Sequence, residues 1–192
     1  MPVHVEPEER VADICRAVVD IASTRGFDAV TIRSIASELR SSTTAVTHYL
    51  PTREQLLRLA VREELLRFEV GQLEAIGDST GFNALRTLVA YTVFDAPERS
   101  RRFWMQVVMS AQRDPLLHSE LQRFNMHWDK AIRALLIEQG IAVQDLSGVA
   151  DQLDIVISGS VMLSFETDSG SAKAQRPALE SLLESILAPR PH

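Results

Sequence analysis

Along almost the whole chain, apolar residues recur at the i, i+3, i+4, i+7 spacing of one helix face. No stretch of useful length alternates as a strand does. That pattern restricts the chain to an all-α fold. Val11, Ile14, Cys15, Val18 and Ala22 form one such face, which Gly26 ends. Ile32, Ile35, Ala36 and Leu39 form a second behind Thr31, a residue suited to capping. After a short polar turn, Ala45, Val46, Tyr49 and Leu50 form a third, closed by Pro51. Thr52-Arg53-Glu54-Gln55 has capping-box spacing and opens a long helix through Leu56, Leu57, Ala60, Leu65 and Phe68. That helix is expected to end between residues 71 and 77.

Longer helices follow. The spacing predicts them over 82–94, from about 95 to 112, over 115–139, 146–165 and 177–187, with a small polar loop over 168–175. Asp114-Pro115 is a strong start signal, with Asp at the cap and Pro at the first helical position, where its missing N–H does no harm. The chain thus divides into a head of three short helices, residues 1–52, and a larger helical region, 53–192. The Gly-containing break over 71–81 separates the first long helix from the rest.

Charge and cysteine usage narrow the classes. The net charge of -6 excludes a generally basic surface, but DNA responds to the local field of one face. The one cysteine, Cys15, leaves no intramolecular disulfide and fits a reducing, cytoplasmic setting. Residues 4–9 are acidic, unlike the apolar core of a signal peptide. The longest apolar stretch, 153–165, is interrupted by Asp154 and falls short of the roughly 20 residues of a membrane span. No membrane association is expected.

A tight turn between the second and third short helices is the requirement of a helix-turn-helix. Its second helix must be short and polar outside, because it enters a major groove about 12 Å wide. Residues 41–49 fit. Ala45, Val46 and Leu50 can face the core, leaving Ser42, Thr43, Thr44, Thr47 and His48 outward with hydroxyls and a ring N–H for bases or phosphates. Tyr49 and two flanking arginines, Arg33 and Arg53, are placed to hold phosphates. The expected partner is double-stranded operator DNA.

These residues resemble the N-terminal domain of TetR-family regulators. The resemblance runs through Ile32-Arg33-Ser34-Ile35-Ala36-Ser37-Glu38-Leu39, then 42–50, then Pro51-Thr52-Arg53-Glu54-Gln55-Leu56-Leu57. It covers about a quarter of the chain in motif and all of it in length and helix count. Two departures stand out. The family's turn carries glycine and then an apolar residue where this chain has Arg40 and Ser41, and Thr47 stands where the family often has a tyrosine. The resemblance implies a dimeric, ligand-responsive regulator, in the first instance a repressor, whose last two helices build the dimer.

That expectation assigns the remaining residues. Ile155, Gly159, Met162 and Leu163 form an apolar stripe with a small residue that permits close approach, and Leu179, Leu182, Leu183 and Ile186 form another. Both are expected in a homodimer interface. Trp104, Met105, Val108, Phe124, Trp128 and Phe165 are expected to line an effector pocket, with Gln106, Asn125 or His127 as polar anchors. So few charges imply an apolar or aromatic effector. The acidic balance also leaves open a cation held over Trp104 and Trp128. His118 and His127 lie nine residues apart on one helix and suit no shared metal. There is no HExxH, phosphate loop or nucleophile–base pairing, so neither an enzyme nor a bound cofactor is expected.

Overall fold

A computed structural model describes residues 7–166 and 174–187. The elements are α1 (Pro7–Arg25), a 3-10 turn (Phe27–Ala29), α2 (Ile32–Glu38), α3 (Thr43–Tyr49), α4 (Arg53–Ile76) and α5 (Gly81–Ala90), the last running into a π-helical turn (Tyr91–Asp95). Then come α6 (Glu98–Ala111), α7 (Pro115–Glu138), α8 (Leu146–Glu166) and α9 (Arg176–Leu187). Among the described residues there is no strand. The fold is all-α. The polar segment expected as a loop, 168–175, lies mostly outside the described residues.

Local chemistry sets the boundaries. Gly26 adopts φ 79°, a left-handed conformation open to glycine, and α1 stops before it. Thr31 and Ser34 cap α2 reciprocally: each side-chain oxygen accepts the other's backbone N–H, at 3.0 and 2.9 Å. Asp114 caps α7 by accepting from the N–H groups of Leu116 and Leu117. Thr52 accepts from Gln55 at the start of α4.

The chain forms two compact units. One contains 7–68 and 97–124; the other contains 69–96 and the described residues from 125 on. In the first, α1 packs on α2, α3 and α6. Its core includes Ile14, Val18, Ile21, Phe27, Ile35, Val46, Leu56, Leu57, Phe103 and Leu117. Arg99 on α6 reaches back to Asp20 and the Arg16 carbonyl on α1. In the second unit, α8 packs on α9 and on the π turn, around Leu85, Leu88, Val89, Val93, Ile132, Leu136, Leu153 and Leu183.

Two expectations need correction here. Residues 82–94 are not one α-helix. The backbone widens at Tyr91, and the Ala96 N–H reaches the Tyr91 carbonyl at 2.8 Å. Thr92 supplies a reason, because its hydroxyl donates to the Leu88 carbonyl at 2.7 Å and accepts from Gln72 at 2.9 Å. Pro97 supplies another, since it cannot continue the helix. The second correction concerns α8. From Leu146 to Phe165 it is 20 residues long with a mean hydropathy of 1.3, so by length and composition it passes the test for a membrane span. It differs from the shorter stretch read from sequence because it begins seven residues earlier. It carries Asp151 and Asp154, and 33% of it is buried within the fold.

Candidate nucleic-acid interface and effector region

The head is built by α2, a tight turn and α3. Ile35 and Ala36 of α2 and Val46 of α3 are buried and fix the two helices against α1. The turn is closed by two hydrogen bonds, from the Arg40 N–H to the Ser37 carbonyl (3.1 Å) and from the Ser41 N–H to the Ala36 carbonyl (2.9 Å). This paired arrangement needs its pivot residue in the left-handed region. Arg40 takes that role at φ 49° and is the one non-glycine residue with positive φ among those described. The turn thus keeps its geometry with Arg-Ser in place of glycine and an apolar residue.

Ser42 caps α3, its hydroxyl oxygen accepting from the Ala45 N–H at 3.1 Å. Thr43, Thr44 and His48 are exposed; Thr47 and Tyr49 are half-buried. Thr47 donates to the Thr44 carbonyl, and the His48 and Tyr49 rings meet edge-on at 5.0 Å. Arg33 is exposed at the start of α2. Between positions 26 and 53, three arginines face two carboxylates, Asp28 and Glu38, in a chain whose net charge is -6. The segment that carries α2, the turn and α3 is therefore less acidic than the chain as a whole.

Arg53 has a different setting from the one expected. Its guanidinium donates to the carbonyls of Val30 and Phe27, both at 3.0 Å, and lies 3.9 Å from the Asp114 carboxylate. It ties the start of α4 to the turn that delivers α2. Sequence spacing could not show this, because the bonds span 23 and 26 residues.

Of the residues expected around an effector, the first unit brings Trp104 and Phe124 together, with ring centroids 4.3 Å apart at 50°. Phe68, missed as a site residue, joins them at 6.3 Å from Phe124. Met105 is half-buried, whereas Val108 faces solvent. In the second unit, Trp128 is half-buried and donates its indole N–H to Asp154 at 3.0 Å, and Phe165 is half-buried. Gln106 is half-buried; Asn125 and His127 are exposed. A groove of about 440 Å³ lies elsewhere, between the first turns of α4 and α7, lined by Arg53, Glu54, Leu57, Arg58, Asp114 and Leu116 among others.

Sequence reading also missed two buried carboxylates. Glu64 on α4 is 3% exposed and accepts from Ser100 (2.6 Å) and Arg67 (3.3 Å). Glu120 on α7 is 1% exposed and takes a bidentate pair of bonds from Arg62, both at 2.9 Å. That bonding holds the Arg62 guanidinium above its usual pKa. Cys15 is fully buried beside Glu63, and burial first, then that carboxylate, pushes its thiol up to about 12. Among the described residues no three His, Cys, Asp or Glu gather as a metal would need.

The expected dimer stripes divide. Ile155 (72% exposed), Met162, Leu163 and Leu182 are exposed apolar residues, Gly159 faces open space, and Ile186 is half-buried. Leu179 and Leu183 are buried inside the second unit and are reassigned from interface to core. On α9, which packs against α8 and α5, they lie four residues apart, one turn along the same stripe.

No family model matches the sequence, and neither does any curated protein. Solved structures do share the fold. A protein classed as a transcriptional regulator from Saccharomonospora viridis, in complex with choline, is 20% identical, with a TM-score of 0.81 over 92% of this chain and 96% of that one. A TetR transcription regulator from Haloarcula marismortui is 18% identical, with a TM-score of 0.76 over 93% and 98% of the two chains. A protein from a Rhodococcus species classed in the TetR family is 18% identical, with a TM-score of 0.77 over 94% of this chain and 100% of that one. The chain therefore has the fold of TetR-type transcriptional regulators: an N-terminal helix-turn-helix followed by a helical C-terminal region.

Proposed function

We propose that this protein is a TetR-type transcriptional regulator. It binds an inverted-repeat operator as a homodimer in the cytoplasm and acts as a repressor that a small molecule releases. The observation that carries this reading is the helix-turn-helix. Its turn is held closed at a non-glycine residue, and its α3 presents Thr43, Thr44 and His48 to solvent. In this reading Thr43 and His48 meet base edges. Arg33, Ser42, Thr44, Thr47 and Tyr49 hold phosphates or flanking edges. Arg53 positions α2 through its bonds to Val30 and Phe27. The functional division is residues 1–52 for reading DNA and 53–192 for control and dimerisation.

Dimerisation is supported by the apolar residues that α8 and α9 leave uncovered: Ile155, Met162, Leu163 and Leu182, with Gly159 and Ile186 among them. A helix that is apolar enough to cross a membrane yet only one-third buried fits an obligate, mostly apolar interface. The effector is taken up near Trp104 and Phe124. An apolar or aromatic molecule suits those rings, and the choline bound by the Saccharomonospora viridis protein favours the cationic alternative.

The experiment is selection of genomic fragments by the full-length protein, followed by footprinting and sedimentation. A protected inverted repeat is expected, with half-sites about one helical turn apart or a multiple of it. Thr43→Ala and His48→Ala are expected to change base preference by about 1–3 kcal/mol at single positions. Arg33→Ala should weaken all sequences alike and lower the salt slope by about 0.9. Gly159→Arg is expected to give a folded monomer. Unchanged preference in both α3 variants would refute the reading helix, and a Gly159→Arg protein that stayed dimeric would move the interface elsewhere.

A further inference from the structure

We infer that Asp114, at the corner between α6 and α7, is a positioning residue for DNA reading that acts through Arg53. The inference rests on reading the chain as a DNA-binding regulator and extends its reading machinery beyond the head.

The turn between α1 and α2 is what has to be held. Its direction sets that of α2 and, through the closed turn at Arg40, that of α3. Phe27 and Val30 are buried at its two ends. Phe103 of α6 meets the Phe27 ring at 5.5 Å, and the Ser34 hydroxyl donates to the Ala29 carbonyl at 2.8 Å. Arg53 supplies the donor for the Val30 carbonyl, and a buried carbonyl that loses its donor is costly.

This grip requires arginine. Nε and Nη2 lie on one edge of the planar guanidinium, and that edge spans the Val30 and Phe27 carbonyls at 3.0 Å each. Nη1 lies off that edge, 3.9 Å from Asp114 Oδ2. Lysine offers the charge without the fork. Asp114 is divided in the same way. Its Oδ1 accepts from the N–H groups of Leu116 (2.9 Å) and Leu117 (3.3 Å), while Oδ2 faces the guanidinium. One carboxylate and one guanidinium thus join the first turn of α7 to the turn before α2. At 3.9 Å the pair is an ion pair rather than a hydrogen bond, so it steers Arg53 without taking the N–H groups that the carbonyls use.

Charge gives the inference its sign. A carboxylate repels DNA phosphates. As a bystander, Asp114 could only leave binding unchanged or weaken it, so its removal would be neutral or favourable. As a positioning residue, its removal weakens binding. Arg53 is separated in a similar way: contact with a phosphate needs the charge, which lysine retains, whereas clasping two carbonyls needs the fork.

The test compares full-length wild-type protein with Asp114→Asn, Arg53→Lys, Arg53→Met and the Arg53→Met/Asp114→Asn double variant. Each is titrated across a salt series on a genomic fragment selected by the wild type. Asparagine keeps an oxygen for the α7 cap, and chemical denaturation checks that every variant is folded. Asp114→Asn is expected to bind about two- to fivefold more weakly, the range of a partly exposed ion pair. Arg53→Lys is expected to bind about tenfold more weakly with its salt slope unchanged. Asp114→Asn should add nothing in the Arg53→Met background. Amide exchange without DNA is the second readout: the Val30, Arg40 and Ser41 N–H groups, all bonded within these turns, should exchange faster in Asp114→Asn. Equal or tighter DNA binding by Asp114→Asn, full affinity in Arg53→Lys, a further loss in the double variant, or unchanged exchange would each overturn the proposal. Any of these with a wild type that selects DNA leaves the regulator reading standing. A wild type that selects no fragment, with exchange quickened in Asp114→Asn, fells the regulator reading and the role in DNA binding while the link from α7 to the α2 turn stands.

Discussion

Replacing Arg40 by glycine should make the protein more stable, although it removes a charged side chain from the turn that precedes α3. Arg40 sits at φ 49°, held there by the two bonds that close the α2–α3 turn. An L-residue in that region carries about 1–2 kcal/mol of steric cost. Glycine removes it, but its freer unfolded chain returns about 0.5–1 kcal/mol. The net gain is about 0.5–1 kcal/mol, since the Arg40 side chain is exposed and little packing is lost. For a chain of this size that corresponds to a rise in Tm of about 1–4 °C. Arg40→Ala is the control, because it removes the charge and keeps the strain. Urea denaturation of the three proteins at equal concentration separates the two effects. If Arg40→Gly is no more stable than Arg40→Ala, strain at the turn is not a term in the stability and the reasoning fails. The DNA salt slope is a separate readout: both variants should lower it equally if Arg40 meets a phosphate.

Three further outcomes are expected. Arg62→Leu leaves the Glu120 carboxylate, 1% exposed, with only Arg58 and Arg123 at 3.9 and 3.8 Å; it should cost about 3 kcal/mol in chemical denaturation, the low end for a broken buried pair because Arg62 is 40% exposed. Cys15, with its thiol pushed up from 9.0 to about 12, should resist alkylation in the native protein at pH 8 and react on unfolding. The unfolded thiol ionises first, so stability holds below pH 9.0, falls by about 1.4 kcal/mol per unit toward pH 12, and levels there; Cys15→Ala should flatten that limb of the pH–stability curve. A Cβ at Gly71 would lie 2.0 Å from the Tyr91 hydroxyl, so Gly71→Ala should cost about 1–3 kcal/mol in thermal unfolding, and Tyr91→Ala should make the pair non-additive.

What could be read before any coordinates were the features whose cause lies within four or five residues. Thr31, Thr52 and Asp114 cap their helices as their spacing implies. The turn between α2 and α3 falls where the spacing implies, closed by backbone bonds to Ala36 and Ser37. What could not be read were partners brought from far along the chain. Arg53 resembles a phosphate ligand in sequence and is taken up by carbonyls 23 and 26 residues away. Glu64 and Glu120 resemble surface charges until Ser100 and Arg62 are beside them. The α9 stripe resembles one face, yet Leu183 is buried and its neighbour Leu182 is exposed, a division set by how α9 packs within the second unit. The π turn needed Gln72 to reach Thr92.

The first unit is assembled from two stretches of chain, with 28 residues of the other unit intervening between Phe68 and Pro97. DNA-reading segments of this kind invite transplantation, in which one regulator's head is joined to another's sensor. Here a cut after residue 52 would strand Phe27 without Phe103, Asp20 without Arg99 and the α2 turn without Arg53. The natural cassette for grafting is discontinuous: the first 68 residues must travel with 97–124. Homologous exchange of the head alone should therefore yield insoluble or non-binding hybrids, whereas a two-segment exchange keeps every one of those contacts. By this logic the reading and sensing parts of the chain are not free to be reshuffled independently, and substitutions on α6 are constrained by α1.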